Sequence, residues 1–311
     1  MSNVLSQSST EIFIRNFQHG DMPLLGELYQ SVTKKENATF WWVGDEDNWS
    51  NVYCAFENGK MVAKGQVSII NVVTPGRLKE NNHSIYLNLK TIPERENDIA
   101  LLENVYQYLF IRANQLKETL PKEYGTMLCV GNDSTETANN QFFIQKGYLH
   151  LNSLYRMNRD LNEPIPELEL QEDFQFSYWK MKTSDEERDY LNVEAEIWPD
   201  TPLGLNRLTE YKNNKLWTSM VIRQTDAIVG GLMAWQEADH GVIEDVFVRE
   251  PWRKRGFSRY LLTQALRYLK ANQLQYANLM VLTTNKSALS VYESVGFCKD
   301  KEEIRYFTKL N

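Results

Sequence analysis

The sequence lacks the marks of several protein classes. Only three of its 311 residues are cysteines, and none stands at a metal-binding spacing such as C-x-x-C from another, so neither a metal site nor a disulfide framework is expected. No apolar run approaches the roughly 20 residues that span a bilayer. The polar, serine-rich start, Met1 to Glu11, has no apolar segment of a signal peptide. We therefore expect reduced thiols, a cytoplasmic protein and no membrane partner.

Basic character is also scarce. The 34 lysines and arginines are outnumbered by 41 acidic residues, which gives a formal net charge of -7 at pH 7. Proteins that wrap DNA or RNA usually present a dominant basic face, so no nucleic acid partner is expected. The phosphate loop G-x-x-x-x-G-K-S/T is absent, which argues against a nucleotide hydrolase.

What the sequence contains is enough chain for two ordinary domains. Strand and helix patterns follow one another in the same order in both halves, and Gly147 and Gly296, which each end a predicted helix, stand 149 residues apart. This repetition predicts tandem copies of one α/β fold, and a coincidental order of elements is the alternative. An acidic stretch with two prolines, LNEPIPELELQED, predicts a linker at 161–173 between domains at 1–160 and 174–311.

The sharpest motif is VFVREPWRKRGFS, from Val246 to Ser258. A predicted strand (Gly241 to Val248) ends there, a basic turn follows, and a helix (Ser258 to Ala271) begins. A helix start of this kind presents unsatisfied amides and the positive end of the helix dipole, which together bind phosphate. Gly256 lets the backbone approach a ligand closely. The alternative is a surface loop with solvated charges.

A second motif, NKSALSVYESVGF, follows at 285–297. Asn285 is a predicted helix cap, and Ala288 is small enough for a ligand or strand to come close. Tyr292 lies on the same helix face four residues later. The alternative for Tyr292 is an aromatic residue of the core.

Together, in this order, the two motifs resemble those of the GNAT superfamily of N-acetyltransferases. The family's phosphate loop has the form Q/R-x-x-G-x-G/A, and Arg253, Gly256 and Ser258 hold its fixed places, with serine where glycine or alanine is usual. Its later element has the form N-x-x-A-x-x-x-Y-x-x-x-G-F, which residues 285–297 match throughout. The resemblance covers roughly 174–311. It implies two tandem GNAT-like domains, each a twisted, mostly antiparallel sheet flanked by helices, in a layout similar to that of mycothiol synthase.

The resemblance also implies acetyl-coenzyme A as the cosubstrate, without a metal. Its pyrophosphate would meet the amides of the basic turn, and its pantetheine would pair with a strand edge. The implied cofactor-binding residues lie on that strand, in the turn and on the later helix: Val246, Phe247, Val248, Arg253, Lys254, Arg255, Gly256, Phe257, Ser258, Asn285 and Tyr292.

The chemistry requires an acid and a base. An alkyl amine must lose a proton before it attacks a thioester, and a carboxylate at the acceptor end of the cleft would help. Glu244 and Asp245 are adjacent on the strand that feeds the loop. Strict alternation would place them on opposite faces, so we expect at most one in the cleft and favour Glu244. Tyr292 is the candidate proton donor to the leaving thiolate.

The first half lacks the phosphate turn. No glycine occurs from Leu87 through Tyr108, and Phe143 stands at the place of Tyr292. We interpret this half as a degenerate GNAT copy that has lost the cofactor site. Its stretch Phe40 to Asp47 is aromatic and acidic, for which a packing role is favoured over recognition.

The predicted function is transfer of an acetyl group to a primary amine of a small molecule or peptide, in a ternary complex. The alternative is a non-catalytic module that senses acyl-coenzyme A. Acceptor contacts are expected from 194–211, including Trp198, Asp200 and Arg207. The acceptor's identity, the acyl-chain preference and the choice between a monomer and a homodimer stay open.

Overall fold

The computed structural model describes residues 12–34, 38–73 and 75–310, and the predicted polar segment 1–11 lies outside them. The chain divides into two compact units, Met1–Asn152 with Glu303–Asn311, and Ser153–Glu302. These bounds differ from the predicted domain limits at two strands. The residues just after 152 belong to the second unit, and the last strand of the chain contributes mainly to the first.

Twelve strands occur in the described part of the chain. They are β1 (Phe13–Asn16), β2 (Val52–Glu57), β3 (Lys60–Asn71), β4 (Asn82–Thr91), β5 (Gly125–Asp133), β6 (Leu149–Asp160), β7 (Gln175–Trp179), β8 (Lys215–Gln224), β9 (Ala227–Glu237), β10 (His240–Val248), β11 (Tyr276–Leu282) and β12 (Cys298–Leu310). Seven α-helices accompany them: α1 (Met22–Thr33), α2 (Ile99–Lys117), α3 (Thr137–Gln145), α4 (Ser184–Ile197), α5 (Gly204–Lys212), α6 (Phe257–Ala271) and α7 (Lys286–Ser294). Short 3-10 turns precede α2 and α6.

In the first unit the strand order is β1-β2-β3-β4-β5-β12. Neighbouring strands are antiparallel except for β4 and β5, which run parallel. Helices α2 and α3 pack on one face of this sheet, and α1 packs on the other. The alternation of side chains along β2 produces both faces, since Cys54 joins one core and Ala55 the other.

The second unit repeats the arrangement with the order β6-β11-β10-β9-β8-β7, in which β10 and β11 form the parallel pair. Helices α6 and α7 pack with the larger core, and α4 and α5 with the smaller one. The fold class predicted from the sequence is therefore confirmed: each unit is a mixed, mostly antiparallel sheet flanked by helices.

The segment 161–173, predicted to be a linker, packs within the second unit. Leu161 is buried, and Ile165 and Leu170 lie against the larger core. Two arginines hold its backbone, since Arg159 donates to the Pro164 carbonyl at 2.7 Å and Arg267 to the Pro166 carbonyl at 3.2 Å. No helix of the described residues is long and apolar enough to cross a bilayer.

Buried lysines distinguish the first unit. Lys64 and Lys90 are direct neighbours on β3 and β4, and both are almost fully buried. Lys90 pairs with Glu136 and donates to Asn132 at 3.2 Å. Lys64 donates to the Trp41 carbonyl and to the Gln66 side chain. Burial lowers the pKa of Lys64 to about 7, since its hydrogen-bond acceptors are neutral.

Strand β12, the last of the chain, gives a test of the unit boundaries. Tyr306 is buried in the core of the first unit, so Tyr306→Ala should lower the free energy of unfolding by about 3 kcal/mol. Hydrogen exchange should show the loss of protection at β5, its pairing partner. Lys309→Ala, on the same strand but exposed, is the control and should change little. Loss of protection confined to β11 would contradict the assignment of this strand.

Lys64 should make stability depend on pH. Its folded pKa lies below the unfolded value, so the unfolded chain binds the additional proton between about pH 7 and 10.5, and the free energy of unfolding should rise with pH through that window. In Lys64→Met this contribution disappears. Urea melts at pH 6.5 to 9.5 give the free energy of unfolding of both proteins. The value for the variant minus the value for the wild type should fall as pH rises. Lys60→Met, at an exposed position of the same strand, serves as the control, and a pH-independent difference for Lys64→Met would contradict the assignment.

Candidate active site

The turn between β10 and α6 is built to present backbone amides. Gly256 is the residue before α6, with φ at +86°, a left-handed conformation in which glycine is unstrained. Lys254 also has a positive φ of 63°, so successive residues turn their amides towards one side. The first intrahelical bond comes from Tyr260 to the Gly256 carbonyl at 3.0 Å. The amides of Phe257, Ser258 and Arg259 therefore have no intrahelical acceptor, and glycine supplies no capping side chain.

A cavity of about 690 Å³ opens at this helix start. It brings together most of the residues predicted to bind the cofactor: Val246, Phe247, Val248, Arg253, Lys254, Gly256, Phe257, Ser258, Asn285 and Tyr292. Ile197, Trp198 and Ala288 also line it. Two predicted site residues, Arg255 and Glu244, are not among the lining residues. The two motifs, about thirty residues apart in sequence, thus meet in one cleft.

The arginines of the turn divide between the cavity and other partners. Arg253 folds back and donates to the Val248 carbonyl at 3.1 Å, at the end of β10. Arg255 points elsewhere: it donates to Gln171 at 2.7 Å and lies 4.9 Å from the centre of the Phe174 ring. Arg249 forms an ion pair with Glu196. The basic patch predicted from the sequence is therefore only partly directed at the cavity, and the amides are its main feature.

Strand β10 leaves an edge free beside these amides. Its parallel pairing with β11 ends after Gly241 and Val242, so the later residues of the strand make no registered pairs with β11. On the other side, the register with β9 shifts between Glu244 and Phe247. Such a bulge adds one residue to a strand, bends it and disrupts the ladder. Val246 to Val248 therefore offers backbone groups to a ligand in the cleft.

The later motif closes the other wall of the cavity. Asn285 caps α7, as predicted, by accepting from the Ala288 amide at 3.1 Å. Tyr292 lies one turn further along and is 8% exposed. Burial, reinforced by the negative charge of Glu244, raises the pKa of Tyr292 to about 12. Its hydroxyl therefore stays protonated near neutral pH and is able to donate.

The bulge corrects the expected alternation of the two carboxylates. Asp245 has φ at +51° and sits within the register shift, so the strict alternation on which that expectation rested is interrupted here. Both carboxylates act on Tyr211, whose pKa is raised to about 12 by burial first and then by the charges of Glu244 and Asp245. Both carboxylates of β10 are thus close enough to act on the same tyrosine. A bulge has no residue-type signature in this strand, so the sequence named Glu244 and Asp245 but could not place their side chains.

The predicted acceptor region is only partly at the cavity. Trp198 lines it and packs edge-on against Phe247, with ring centres 6.1 Å apart. Arg207 pairs with Glu210 at 3.1 Å and lies over the Tyr211 ring. Asp200 is exposed and does not line the cavity. The buried Glu194 accepts from the Leu203 amide at 3.0 Å and so shapes the loop between α4 and α5.

The same positions of the first unit are occupied by its own side chains. Helix α2, which follows β4 as α6 follows β10, is capped by Asp98, whose carboxylate accepts from the Leu101 amide at 2.9 Å. Strand β4 shows no register shift along Asn88 to Thr91 and makes six registered pairs with β5. Asn139, aligned with Ala288, donates to the Leu89 carbonyl at 2.9 Å. One carbonyl of this strand edge, that of Leu89, and one amide at the helix start, that of Leu101, are therefore already hydrogen-bonded.

A small cavity of about 90 Å³ remains at this place in the first unit. Its lining includes Lys90, Thr91 and Glu136. Lys90 and Glu136 form an ion pair with each other and so already satisfy one another's charge. Phe143, the counterpart of Tyr292, is fully buried in the core. The stretch Phe40 to Asp47 contributes packing, since Val43 is completely buried and Trp41 is held by Asn88 and Lys64.

Comparison with known proteins agrees with this geometry. Residues 169–297 match the model of the Acetyltransferase (GNAT) family. None of the curated proteins matches the chain. A GCN5-related N-acetyltransferase from Sphaerobacter thermophilus has a similar structure, with a TM-score of 0.73 at 17% identity over 96% of this chain and 95% of that one. A tandem GNAT protein from the clavulanic acid biosynthesis pathway has a TM-score of 0.66 at 10% identity, covering 96% and 98% of the two chains. At these identities the likeness concerns the fold, which is a tandem GNAT fold.

The helix start gives a direct binding test. Gly256→Val forces a β-branched residue into a left-handed conformation, which costs about 1–2 kcal/mol, and places its side chain at the cavity wall. We expect acetyl-coenzyme A affinity, measured by calorimetry, to fall at least about tenfold. The wild-type chain should bind one molecule of acetyl-coenzyme A.

The matched control is Gly147→Val in the first unit, where φ is +83° and, as at Gly256, an added Cβ meets nothing within 4 Å. It should cost similar stability and leave affinity unchanged. Equal losses of affinity in both variants, or two bound molecules per chain, would contradict the assignment of the site to the second unit.

Proposed function

We propose that this chain, an acyltransferase with its GNAT domain at 169–297, transfers an acetyl group from acetyl-coenzyme A to a primary amine of a small molecule or peptide. The observation that carries the proposal is the convergence of free helix amides, an unpaired strand edge and a protonated tyrosine on one cavity. The family generally uses acetyl-coenzyme A, and the cavity fits that cosubstrate in volume and in the chemistry of its walls.

The binding residues divide by the part of the cosubstrate that they would hold. Amides from Arg255 to Ser258 would hold the pyrophosphate at the positive end of α6. The edge of β10 at Val246 to Val248 would pair with the pantetheine amides. Ala288 leaves room for it where the first unit has Asn139. Asn285 lines the cavity, and its side-chain oxygen accepts the cap bond from the Ala288 amide.

The reaction needs a proton acceptor at one end of the cleft and a proton donor at the other. Acetyl-coenzyme A supplies the thioester carbonyl, and an amide of β10 would stabilise the charge that develops on its oxygen. At the acceptor end a carboxylate of β10 would accept a proton from the ammonium group and so free the nitrogen lone pair, and Glu244 is the one favoured from the sequence. At the other end Tyr292 would donate its proton to the departing sulfur.

The acceptor side is suited to a cation. Glu244 and Asp245 lie together there, and Arg207 is engaged with Glu210 and Tyr211. A protonated amine would compensate these negative charges. Neither a nucleic acid nor a membrane is part of the proposal, and the protein would act as a monomer or a homodimer.

The proposal is tested by thiol release from acetyl-coenzyme A in the presence of a panel of primary amines, including polyamines, amino sugars and short peptides with a free N-terminus. At least one amine should stimulate thiol release. Binding of acetyl-coenzyme A without stimulation by any member of the panel would favour the sensing module instead and would overturn the proposed transfer.

Tyr292→Phe separates proton donation from binding. The variant keeps the ring that packs against Phe297 and removes only the hydroxyl. With an amine accepted by the wild type, kcat should fall about 10²-fold or more, while calorimetric affinity for acetyl-coenzyme A stays within about twofold. Tyr276→Phe, at an exposed position of β11, is the control. An unchanged kcat for Tyr292→Phe would exclude Tyr292 as the donor.

A further inference from the structure

The bulge of β10 holds a tyrosine–aspartate pair that the proposed mechanism has not yet used. The Tyr190 hydroxyl, on α4, donates to Oδ2 of Asp245 at 2.9 Å. Tyr190 is completely buried, between the Trp179 and Phe247 rings. Its ring therefore has little freedom to move, and the hydroxyl is fixed towards the bulge.

The position of Asp245 follows from the backbone rather than from the side chain. A positive φ is uncommon for a residue other than glycine, although aspartate tolerates it better than most. Here it occurs where the strand register shifts, immediately before the edge Val246 to Val248 that lines the cavity. The strained residue, Asp245, lies where the proposed acceptor end of the strand meets the cosubstrate end. Strained backbone positions are typical of functional sites.

Several titratable or charged groups surround the Tyr190–Asp245 pair. Glu194 of α4 and Tyr211 of α5 act on Tyr190, while Glu244 of β10 and Arg207 of α5 act on Tyr211. Burial raises the pKa of Asp245 to about 6, and the hydrogen bond from Tyr190 opposes that rise. Burial, followed by the charge of Asp245, raises the pKa of Tyr190 well above its usual value. Tyr190 is therefore a permanent donor, and Asp245 is the partner that changes charge.

We propose that Tyr190 is a positioning residue that holds Asp245 at the bulge, and that Asp245, rather than the Glu244 favoured from the sequence, takes the proton of the acceptor ammonium. The N–H bond of the ammonium breaks, an O–H bond forms on the free carboxylate oxygen Oδ1, and the nitrogen keeps the electron pair that then attacks the thioester. Asp245 afterwards releases this proton to solvent. The inference rests on the proposed acetyl transfer.

A carboxylate in this environment suits the task better than an ordinary one. A base is most effective when its pKa lies near the working pH, because it is then both ionised and able to bind a proton. An exposed aspartate is a much weaker base. The Tyr190 bond keeps Asp245 ionised in a buried place where an isolated carboxylate would be neutral. Loss of the hydroxyl should therefore raise the pKa of Asp245 further.

The first test needs no acceptor. Protein labelled with ¹³C at the aspartate carboxyl carbon is titrated from pH 4 to 8, and the Asp245 resonance is identified by its absence in Asp245→Asn. We expect this resonance to titrate near pH 6 in the wild type. In Tyr190→Phe its midpoint should rise by roughly one pH unit, a tenfold increase in proton affinity. Tyr178→Phe, at an exposed position of β7, should leave it unchanged. A midpoint below about 4.5, or one that Tyr190→Phe does not move, would overturn the pair.

The second test uses an amine that the wild type acetylates. The acid limb of the pH profile of kcat/KM reports the free enzyme's base. It should move upward in Tyr190→Phe by the same interval as the carboxyl resonance and should persist in Glu244→Gln. An acid limb that disappears in Glu244→Gln and stays in place in Tyr190→Phe would assign the base to Glu244 and refute the inference.

The two tests keep the proposals apart. If no amine is acetylated, the proposed transfer fails while the carboxyl titration still decides whether Tyr190 sets the pKa of Asp245. Circular dichroism of the folded variants and their acetyl-coenzyme A affinity, both expected to be unchanged in Tyr190→Phe, show that a shifted profile is not caused by a damaged fold.

Discussion

One irregular strand organises the second unit. β10 gains a residue at Asp245, loses its register with β9 and stops pairing with β11 after Val242. Backbone groups that a regular sheet would pair internally are left at the edge of a cleft, where unpaired groups carry a cost unless water or a ligand satisfies them. Beside this edge α6 begins without a capping side chain, so its amides are available too. The cavity exists because main-chain hydrogen bonds are left unmade at two adjoining places.

The first unit shows the same fold with side chains of its own bonded at two of these places. Along Asn88 to Thr91, the part of β4 that corresponds to the bulged part of β10, the register does not shift. Asp98 caps α2 with its own carboxylate, and Asn139 donates to the Leu89 carbonyl. A carboxylate at the start of a helix occupies the amides and repels phosphate. The first unit therefore differs from the second by more than the missing glycine. Its buried Lys90–Glu136 pair fills polar space that the second unit leaves open.

Asp245 illustrates why sequence periodicity could not decide where the two carboxylates of β10 lie. Alternation along a strand is reliable only while the register is continuous, and one extra residue redirects a side chain. Arg255 shows a similar limit. Its charge and its place in the loop motif predicted cofactor binding, whereas its side chain binds Gln171. The short helix α5 and the contacts of Tyr190 also depend on residues far away in sequence. None of these leaves a local pattern.

Local patterns by themselves determined the fold class of the two halves, the strand and the helix on either side of the basic turn, and the pair of motifs that meet in the cavity. They did so because helix caps, glycine turns and apolar periods are set by neighbouring residues. The tertiary structure alone decided where the carboxylates of β10 lie, where the basic side chains point, and which strand completes which unit. Those outcomes depend on hydrogen bonds and packing between segments that meet only on folding, such as the bond from Tyr190 to Asp245 and the pairing of β12 with β5.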